Sequence, residues 1–285
     1  MVKHRLFFGT LMTVLFTAIV VLDGWLDGSL TVSAPDKPVQ GTILCILVIL
    51  LVIPAQIELS GLAAARNLKV FLPVSIPGSI LLATWRFWEQ VAGFRPEIYL
   101  LVVFVLVFSA MMLYQYAKYG TSGVLANCGI NCLSMWYLGL LSSFCLAMRV
   151  EFGLWPMLMF VYVIKSCDIG AYAIGTMYGK HKFSPKISPK KTWEGMGGGC
   201  AAAGVVAVGF SLACGIMAWW MAVGFGLCFA FLGQMGDLAE SMMKRDAERK
   251  DSANKVPGFG GVLDIIDSIL IAAPFAYLFF MWNSR

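Results

Sequence analysis

Charged residues are scarce in this 285-residue chain. Asp, Glu, Lys and Arg make up 13% of it, against about 25% in an ordinary soluble domain, and 59% of the residues are hydrophobic. This composition excludes a typical soluble domain and predicts a polytopic membrane protein. The chain also has two histidines, and its eight cysteines form no Cys-x-x-Cys pair. We therefore interpret the cysteines as small apolar residues rather than as zinc ligands or disulfides.

Other patterns are missing as well. No signal-peptide cleavage pattern follows the first apolar run, so we expect that run to be retained as a span. The short alternating segments of a barrel are absent, so the spans should be helices. We therefore predict an all-α helical bundle of about nine transmembrane helices, with approximate bounds 6–22, 41–57, 70–85, 98–114, 124–147, 154–178, 197–215, 218–236 and 261–282.

The distribution of Lys and Arg predicts the orientation. Alternate loops of a nine-span chain hold 15 of these residues on one side and 5 on the other, and Lys165 lies within a span. By the positive-inside rule the N-terminus is cytosolic and the C-terminus is outside. A basic cytosolic face suits anionic lipid headgroups or nucleotide phosphates, whereas nucleic acid is a weak alternative. We expect a multi-pass protein of a bacterial-type cytoplasmic (inner) membrane.

Polar residues concentrate in the second part of the chain. Residues 1–123 are spans with short loops and no assigned role, and residues 124–285 form the predicted catalytic region, with cytosolic loops 179–196 and 237–260. In the sixth span, Lys165 and Asp168 are three residues apart and share a helix face. An intramembrane charge is costly, so we favour a functional site over a self-neutralising structural pair.

The loop "GKHKFSPKISPKKTWEGMGGG" carries five lysines and two Ser-Pro steps. Its prolines predict an extended or turned loop, and its lysines and hydroxyls can hold phosphate oxygens. Lys191 is not part of a Walker A motif, because no GxxxxG precedes it. The alternative is the basic edge that any positive-inside protein carries.

The third region is "GQMGDLAESMMKRDAERKDSANKVPGFGGVLDIIDS". If it is helical at its start, one polar stripe is formed by Asp237, Glu240, Ser241, Lys244 and Arg245. Asp264 and Asp267 then fall in the opening turns of the last span. Carboxylates from two helix ends beside a lysine-rich loop match what Mg²⁺ requires, so we expect Asp237, Asp264 and Asp267 to border one cytosolic cavity.

At these residues the sequence resembles the phosphatidate cytidylyltransferases (CDP-diacylglycerol synthases), over about residues 160–270. The family pattern is Ser, Lys-Arg, Lys-Asp, Pro-Gly-His-Gly-Gly and Asp-Arg-x-Asp. Here it reads Ser241, Lys244-Arg245, Lys250-Asp251, Pro257-Gly258-Phe259-Gly260-Gly261 and Asp264-Ile265-Ile266-Asp267. Two positions depart from it, because Phe259 replaces the histidine and Ile265 replaces the arginine.

The resemblance implies Mg²⁺-dependent transfer of CMP from CTP to phosphatidic acid, which gives CDP-diacylglycerol and pyrophosphate at the cytosolic membrane face. The expected partners are CTP and phosphatidic acid in the membrane, with a homodimer left open and no nucleic acid. It also implies a role for each matching residue: metal ligation by Asp237 and Asp264, an acidic shell of Asp168, Asp251 and Asp267, phosphate binding by Lys191, Lys244, Arg245 and Lys250, and hydrogen bonds to phosphate from Ser188 and Ser241.

Three alternatives remain open at this point. A CTP-dependent lipid kinase of the polyprenol or phytol type would transfer the γ-phosphate to an alcohol. A transporter could use Lys165, Asp168, Asp264 and Asp267 along a pathway, although transporters often show corresponding broken helices in two halves. A catalytically lapsed paralogue is the third alternative, because of the departures at Phe259 and Ile265.

Overall fold

A computed structural model describes residues 2–30, 37–253 and 260–284, with side chains from residue 9 onward in the first helix. Most of these residues are helical. The helices are α1 (Val2–Leu26), α2 (Thr42–Ala65), α3 (Leu72–Ala83), α4 (Trp85–Ala92), α5 (Pro96–Tyr119), α6 (Val124–Met135), α7 (Leu141–Phe152), α8 (Leu154–Tyr178), α9 (Trp193–Cys214), α10 (Trp219–Asp246) and α11 (Leu263–Asn283). A π-helical segment, Trp136–Leu140, joins α6 to α7, and two short strands, β1 (Lys182–Ser184) and β2 (Ser188–Thr192), lie between α8 and α9.

The predicted polytopic helical membrane fold is confirmed. In the part of the chain that the structure describes, eight helical stretches are long and apolar enough to cross a membrane: Gly9–Leu26, Thr42–Ala65, Pro96–Tyr119, Val124–Phe152, Leu154–Tyr178, Trp193–Cys214, Trp219–Asp246 and Leu263–Asn283. The remaining predicted span, 70–85, is the shorter apolar helix α3. Its 12 residues are about 18 Å long, which is less than the hydrocarbon thickness of a bilayer.

The chain divides by its contacts into two compact units. The first consists of Met1–Val150 and Asp246–Ile265, and the second of Glu151–Arg245 and Ile266–Arg285. The boundary that we expected after residue 123 separates regions by function, and it stays a prediction. The segment at 246–265 therefore packs with helices that precede it by about a hundred residues or more.

Close packing of α3 against the π-helical segment organises the first unit. A Cβ atom on Gly139 would lie 2.8 Å from the Cα of Ser79, and one on Gly78 would lie 2.7 Å from the sulfur of Met135. Glycine at both positions allows the helix backbones to approach, as is common between membrane helices. The adjacent buried cluster contains Phe71, Met111, Cys128 and Met135.

Two asparagines of α6 satisfy the backbone of the turn between α2 and α3. Oδ1 of Asn131 accepts a hydrogen bond from the amide of Phe71 at 2.7 Å, and its Nδ2 donates to the carbonyl of Lys69 at 2.9 Å. Oδ1 of Asn127 accepts from the amide of Lys69 at 3.1 Å. Where packing against α6 shields the turn from water, its backbone groups need such partners.

An ion network ties α1 to α7. The fully buried guanidinium of Arg149 contacts Asp23 at 3.1 Å and Asp27 at 2.5 Å. Asp27 lies just beyond the apolar part of α1. Burial favours its neutral form, but hydrogen bonds from Ser29 and the Arg149 charge outweigh this effect and hold the pKa of Asp27 below its usual value.

The second unit is built on glycine-lined helix contacts. A Cβ atom on Gly170 of α8 would lie 2.7 Å from the carbonyl oxygen of Gly198 in α9, and one on Gly226 of α10 would lie 2.7 Å from the Cα of Gly204. The expected extended or turned loop after α8 is an antiparallel hairpin, with Lys182 opposite Thr192 and Ser184 opposite Ser188. The polar stripe that begins at Asp237 is helical, as expected, because it continues α10.

Candidate active site

Three carboxylates of the second unit meet near the start of the polar stripe. Asp237 and Glu240 lie one turn apart on α10, and Asp267 lies on α11; each places a carboxylate oxygen within 4.8 Å of the others. Glu240 and Asp267 are buried, and Asp237 is half-buried. Gly236 makes the approach feasible, because a Cβ atom there would lie 2.6 Å from the carbonyl oxygen of Asp267.

Lysines pair with two of these acids. Nζ of Lys191, on β2, lies 2.7 Å from Oδ2 of Asp237. Oδ1 of Asp237 accepts a hydrogen bond from the hydroxyl of Ser241 at 3.2 Å. The buried ammonium of Lys244 contacts Glu240 one turn earlier on α10. Each pairing offsets part of the cost of removing charges from water.

Asp168 lies in the same unit with its own set of partners. Nζ of Lys165 is 3.5 Å from Oδ2 of Asp168, so the predicted pair on α8 is present. Nε2 of Gln234 donates to Oδ1 at 3.2 Å, and the hydroxyl of Ser268 lies 3.4 Å from Oδ2. The same hydroxyl lies 3.0 Å from Oδ1 of Asp267. The hydroxyl therefore lies between two carboxylates that α8 and α11 contribute.

The β1–β2 hairpin positions Lys191, the loop lysine that contacts Asp237. Thr192 ends β2 and caps α9, because its hydroxyl accepts a hydrogen bond from the amide of Gly195 at 3.1 Å. The backbone of Lys191 is therefore fixed next to the start of α9, and its side chain reaches Asp237 on α10. At the turn of the hairpin, Nε of Arg245 donates to the carbonyl of Ile187 at 3.1 Å. Ser188 begins β2 next to that turn.

The arrangement has the chemistry of a divalent-cation and phosphate site. Four carboxylates and three lysines belong to it: Asp168, Asp237, Glu240, Asp267, Lys165, Lys191 and Lys244. Carboxylates this close repel each other when ionised. A bound Mg²⁺ would remove that repulsion, and hard oxygen ligands from two helices fit its coordination.

The structure brings together six of the residues that sequence reasoning selected, in one unit. They are Asp168, Lys191, Asp237, Ser241, Lys244 and Asp267. Arg245 and Ser188 lie at the hairpin of the same unit. The three others, Lys250, Asp251 and Asp264, belong to the first unit. Lys250 and Asp251 are exposed there.

Asp264 has well-defined partners in the first unit. Its Oδ2 accepts hydrogen bonds from the amide of Gly261 at 2.7 Å and from the hydroxyl of Ser252 at 2.7 Å. Its expected role as a metal ligand stays a prediction. Of the two departures from the family pattern, Ile265 lies in the first turn of α11, and Phe259 lies outside the described residues.

Sequence reasoning gave no role to several residues that contact these acids. Glu240 was placed on the stripe, and its spacing of three from Asp237 could have suggested that it joins the acidic group. Gln234 and Ser268 gave no comparable signal, because a single polar residue in a span has many structural explanations. Glu58, which lies 205 residues before its partner Leu263, could not be found from spacing at all.

Comparison with known proteins identifies the class of this membrane protein. The profile of the cytidylyltransferase family matches residues 3–282. The chain therefore belongs to the cytidylyltransferase family, and the resemblance seen in its motifs is confirmed.

Individual relatives carry a more specific name. The chain is similar to a phosphatidate cytidylyltransferase of Bacillus subtilis (strain 168), with 33% identity over 241 residues, which is 80% of this chain and 86% of that protein. It is 43% identical over 131 residues to a phosphatidate cytidylyltransferase of Brucella suis, covering 45% of this chain and 47% of the relative. A Mycobacterium tuberculosis (strain H37Rv) phosphatidate cytidylyltransferase is 38% identical over 136 residues, covering 44% and 38%.

Proposed function

We propose that this chain is a phosphatidate cytidylyltransferase, which transfers CMP from CTP to phosphatidic acid. The observation that carries the proposal is the acidic group Asp237, Glu240 and Asp267 with Lys191 beside it, in a family member whose relatives bear that name. Acids and lysines this close, at the ends of membrane helices, suit an anionic lipid and a nucleotide polyphosphate better than a neutral ligand.

The reaction needs little covalent assistance from the protein. A phosphate oxygen of phosphatidic acid forms a bond to the α-phosphorus of CTP, and the bond from that phosphorus to the bridging oxygen of the β-phosphate breaks. Pyrophosphate leaves with the electron pair. The attacking phosphate is already ionised, so positioning and electrostatic stabilisation supply most of the rate, as in other phosphoryl-type transfers.

The residues of the second unit have distinct tasks in this scheme. Asp237, Glu240 and Asp267 would hold Mg²⁺, which supplies Lewis-acid polarisation of phosphate oxygens when bound. Lys191 neutralises phosphate charge from the hairpin, and Ser241 donates to Asp237 or to a phosphate oxygen. Lys244 fixes the Glu240 carboxylate. Asp168 keeps Lys165 at the site, where its ammonium can face an anionic substrate.

The membrane side of the site is part of the proposal. Residues 179–196 and 244–262 hold ten of the 21 Lys and Arg residues. These segments precede α9 and follow α10, so two crossings return the chain to the same side. We place both in the cytosol by the positive-inside rule. The side of the N-terminus depends in addition on whether the short helix α3 crosses the membrane.

Position-specific radiolabels of CTP test the reaction. Purified protein would be incubated with phosphatidic acid, Mg²⁺ and CTP labelled at the α- or the γ-phosphate. Cytidylyl transfer puts the α-label into the lipid and the γ-label into pyrophosphate. A lipid kinase given an alcohol acceptor would instead move the γ-label into lipid. If neither label reaches lipid, the lapsed-paralogue interpretation replaces the proposal.

A further inference from the structure

Glu58 is a buried acid in an apolar helix of the first unit. It lies on α2, and 3% of its surface is exposed. Its Oε2 accepts a hydrogen bond from the amide of Leu263 at 3.0 Å and lies 3.1 Å from the hydroxyl of Ser252. A carboxylate in a membrane span is costly and usually has a specific task. Here it provides a partner for a free N–H at the first residue of α11.

The same serine joins Glu58 to Asp264. The hydroxyl of Ser252 lies 2.7 Å from Oδ2 of Asp264, which also accepts from the amides of Ser252 at 3.2 Å and Gly261 at 2.7 Å. One hydroxyl therefore lies between two carboxylates from different helices. Because a serine hydroxyl carries a single proton, it can donate to only one of them at a time.

The glycine pair before α11 is required by these contacts. A Cβ atom on Gly261 would lie 2.1 Å from the hydroxyl of Ser252 and 2.2 Å from Oε2 of Glu58. Gly260 has φ of +97°, and a Cβ atom there would lie 2.6 Å from Oδ2 of Asp264. Only glycine allows this backbone path and this closeness to the carboxylates. The absence of a side chain at Gly261 thus leaves room for the Glu58 carboxylate, and its absence at Gly260 leaves room for the Asp264 carboxylate.

Further contacts extend along α2 toward its C-terminal end. A Cβ atom on Gly61 would lie 3.7 Å from the guanidinium of Arg249. Arg66 pairs with Asp246 at 3.3 Å and with Glu248 at 3.8 Å. The described part of the segment between α10 and α11 therefore contacts α2 at several positions, and the contact with Glu58 is buried.

We propose that Glu58 is a positioning residue that holds the glycine turn and orients the Asp264 carboxylate at the start of α11. Among the described residues, backbone N–H groups and the Ser252 hydroxyl donate to the two acids, as in a hydrogen-bonded anchor for the turn. Glu58 thereby gives a function to the N-terminal helices, whose role the sequence left unassigned. Its effect on turnover rests on the proposed function.

Hydrogen exchange measures the anchor directly. In purified protein, Glu58→Ala should speed exchange of the amides of Gly261 and Leu263 by at least about tenfold, equivalent to about 1.4 kcal/mol. Glu58→Gln should restore most of the protection, because its amide oxygen can accept from Leu263. Ser252→Ala keeps the Glu58–Leu263 contact and should expose Gly261 more than Leu263.

Gln56→Ala is the matched control. Gln56 is as buried as Glu58, lies two residues away on α2, and donates to Ser134 at 2.8 Å. Its loss should leave exchange at Gly261 and Leu263 within about twofold of wild type, below the ~1.4 kcal/mol of a tenfold change. The proposal is overturned if Glu58→Ala and wild type exchange alike at these amides, or if Gln56→Ala exposes them equally.

Turnover is measured separately, so the two proposals can fail independently. If wild type makes CDP-lipid, Glu58→Ala should lower kcat/KM at least tenfold, about 1.4 kcal/mol, and Glu58→Gln should recover most of that loss. If wild type makes none, the proposed function fails while the exchange data still decide the role of Glu58. If Glu58→Ala does not fold, Glu58→Gln and Ser252→Ala test the role of Glu58 instead. The anchor is contradicted if the amide of Gly261 exchanges in Ser252→Ala as slowly as it does in wild type.

Discussion

Nζ of Lys191 lies 2.7 Å from Oδ2 of Asp237, and this contact joins the hairpin to the acidic group on α10. Lys191 is the half-buried member of the neighbouring lysines on β2, whereas Lys190 is exposed. Of the two adjacent lysines in "PKK", the hairpin therefore brings Lys191, and not Lys190, to the acidic group.

The first prediction is that Lys191→Ala lowers kcat/KM for CTP roughly tenfold to a hundredfold, because a charge-assisted contact of about 1.5–3 kcal/mol is lost. Steady-state kinetics with CTP and phosphatidic acid measures the change. Lys190→Ala and Lys37→Ala are controls on the same strand and in a separate loop, and each should stay close to wild type. Equal losses in all three variants would mean that the lysines act only through net charge.

The second prediction concerns the repulsion among Asp237, Glu240 and Asp267. Without divalent cations, Asp267→Asn should unfold at a higher temperature than wild type, since one buried like charge is removed. The same change should abolish Mg²⁺-dependent turnover. Mg²⁺ should raise the unfolding temperature of wild type but not that of Asp267→Asn. Thermal unfolding with and without Mg²⁺ measures both effects. Asp237→Asn should also abolish Mg²⁺-dependent turnover, but it should not raise the unfolding temperature, because it removes the carboxylate that pairs with Lys191.

Asp246→Asn serves as the control for these acids. Asp246 ends the same helix α10, but its side chain is 70% exposed, so its replacement should change neither the unfolding temperature nor the Mg²⁺ requirement. A metal site at the acidic group would be wrong if Mg²⁺ stabilised Asp267→Asn and wild type equally.

The third prediction is that Glu240→Gln destabilises the protein by about 3–5 kcal/mol, because it removes the carboxylate charge that pairs with the buried Lys244 ammonium. Lys244→Met should cost less when combined with Glu240→Gln than when made alone. A double-mutant cycle on unfolding free energies measures the coupling. Additive effects would show that the two side chains do not stabilise each other.

The fourth prediction concerns acid stability at Asp27. Folding lowers the pKa of this carboxyl, so its charge stabilises the fold above the unfolded pKa. That contribution is lost as pH falls through the lower folded pKa, below about pH 4. Asp27→Asn should therefore be less stable than wild type at about pH 6 and approach it by about pH 3. Unfolding midpoints across this range test the sign; a gap that widens on acidification contradicts it.

The fifth prediction turns on the two departures from the family pattern. Phe259 cannot donate a hydrogen bond or carry a proton, and Ile265 cannot pair with phosphate. The acids are retained, and the ionised phosphate nucleophile needs no base, so we expect wild type to be active with an altered rate or substrate preference. The double change Phe259→His with Ile265→Arg should tune this activity. If wild type is inactive with every phospholipid acid and the double change creates activity, the chain is a lapsed paralogue.

The sequence predicted the membrane helices well, because hydropathy over about 20 residues reflects a strong physical constraint. It missed the shortness of α3, because hydropathy alone does not locate the break at Thr84, where α3 ends and α4 begins. The acids of α10 could be predicted as a group from helical spacing. For Lys191 the sequence indicated only that it could bind phosphate. Its pairing with Asp237 could not be predicted, because no rule of spacing connects a hairpin residue to a helix residue about 46 positions later.

The contact between Glu58 and Ser252 spans 194 residues of sequence, and this separation has a consequence for biosynthesis. At about 5–20 residues per second, the ribosome needs roughly 10 to 40 s to make the chain between them. During that interval α2 has already been synthesised, but the hydrogen-bond donors of Glu58, the Ser252 hydroxyl and the Leu263 amide, have not. A translation product that stops before Ser252 keeps an acid without these partners in its second helix, which makes such a fragment a natural target for membrane quality control.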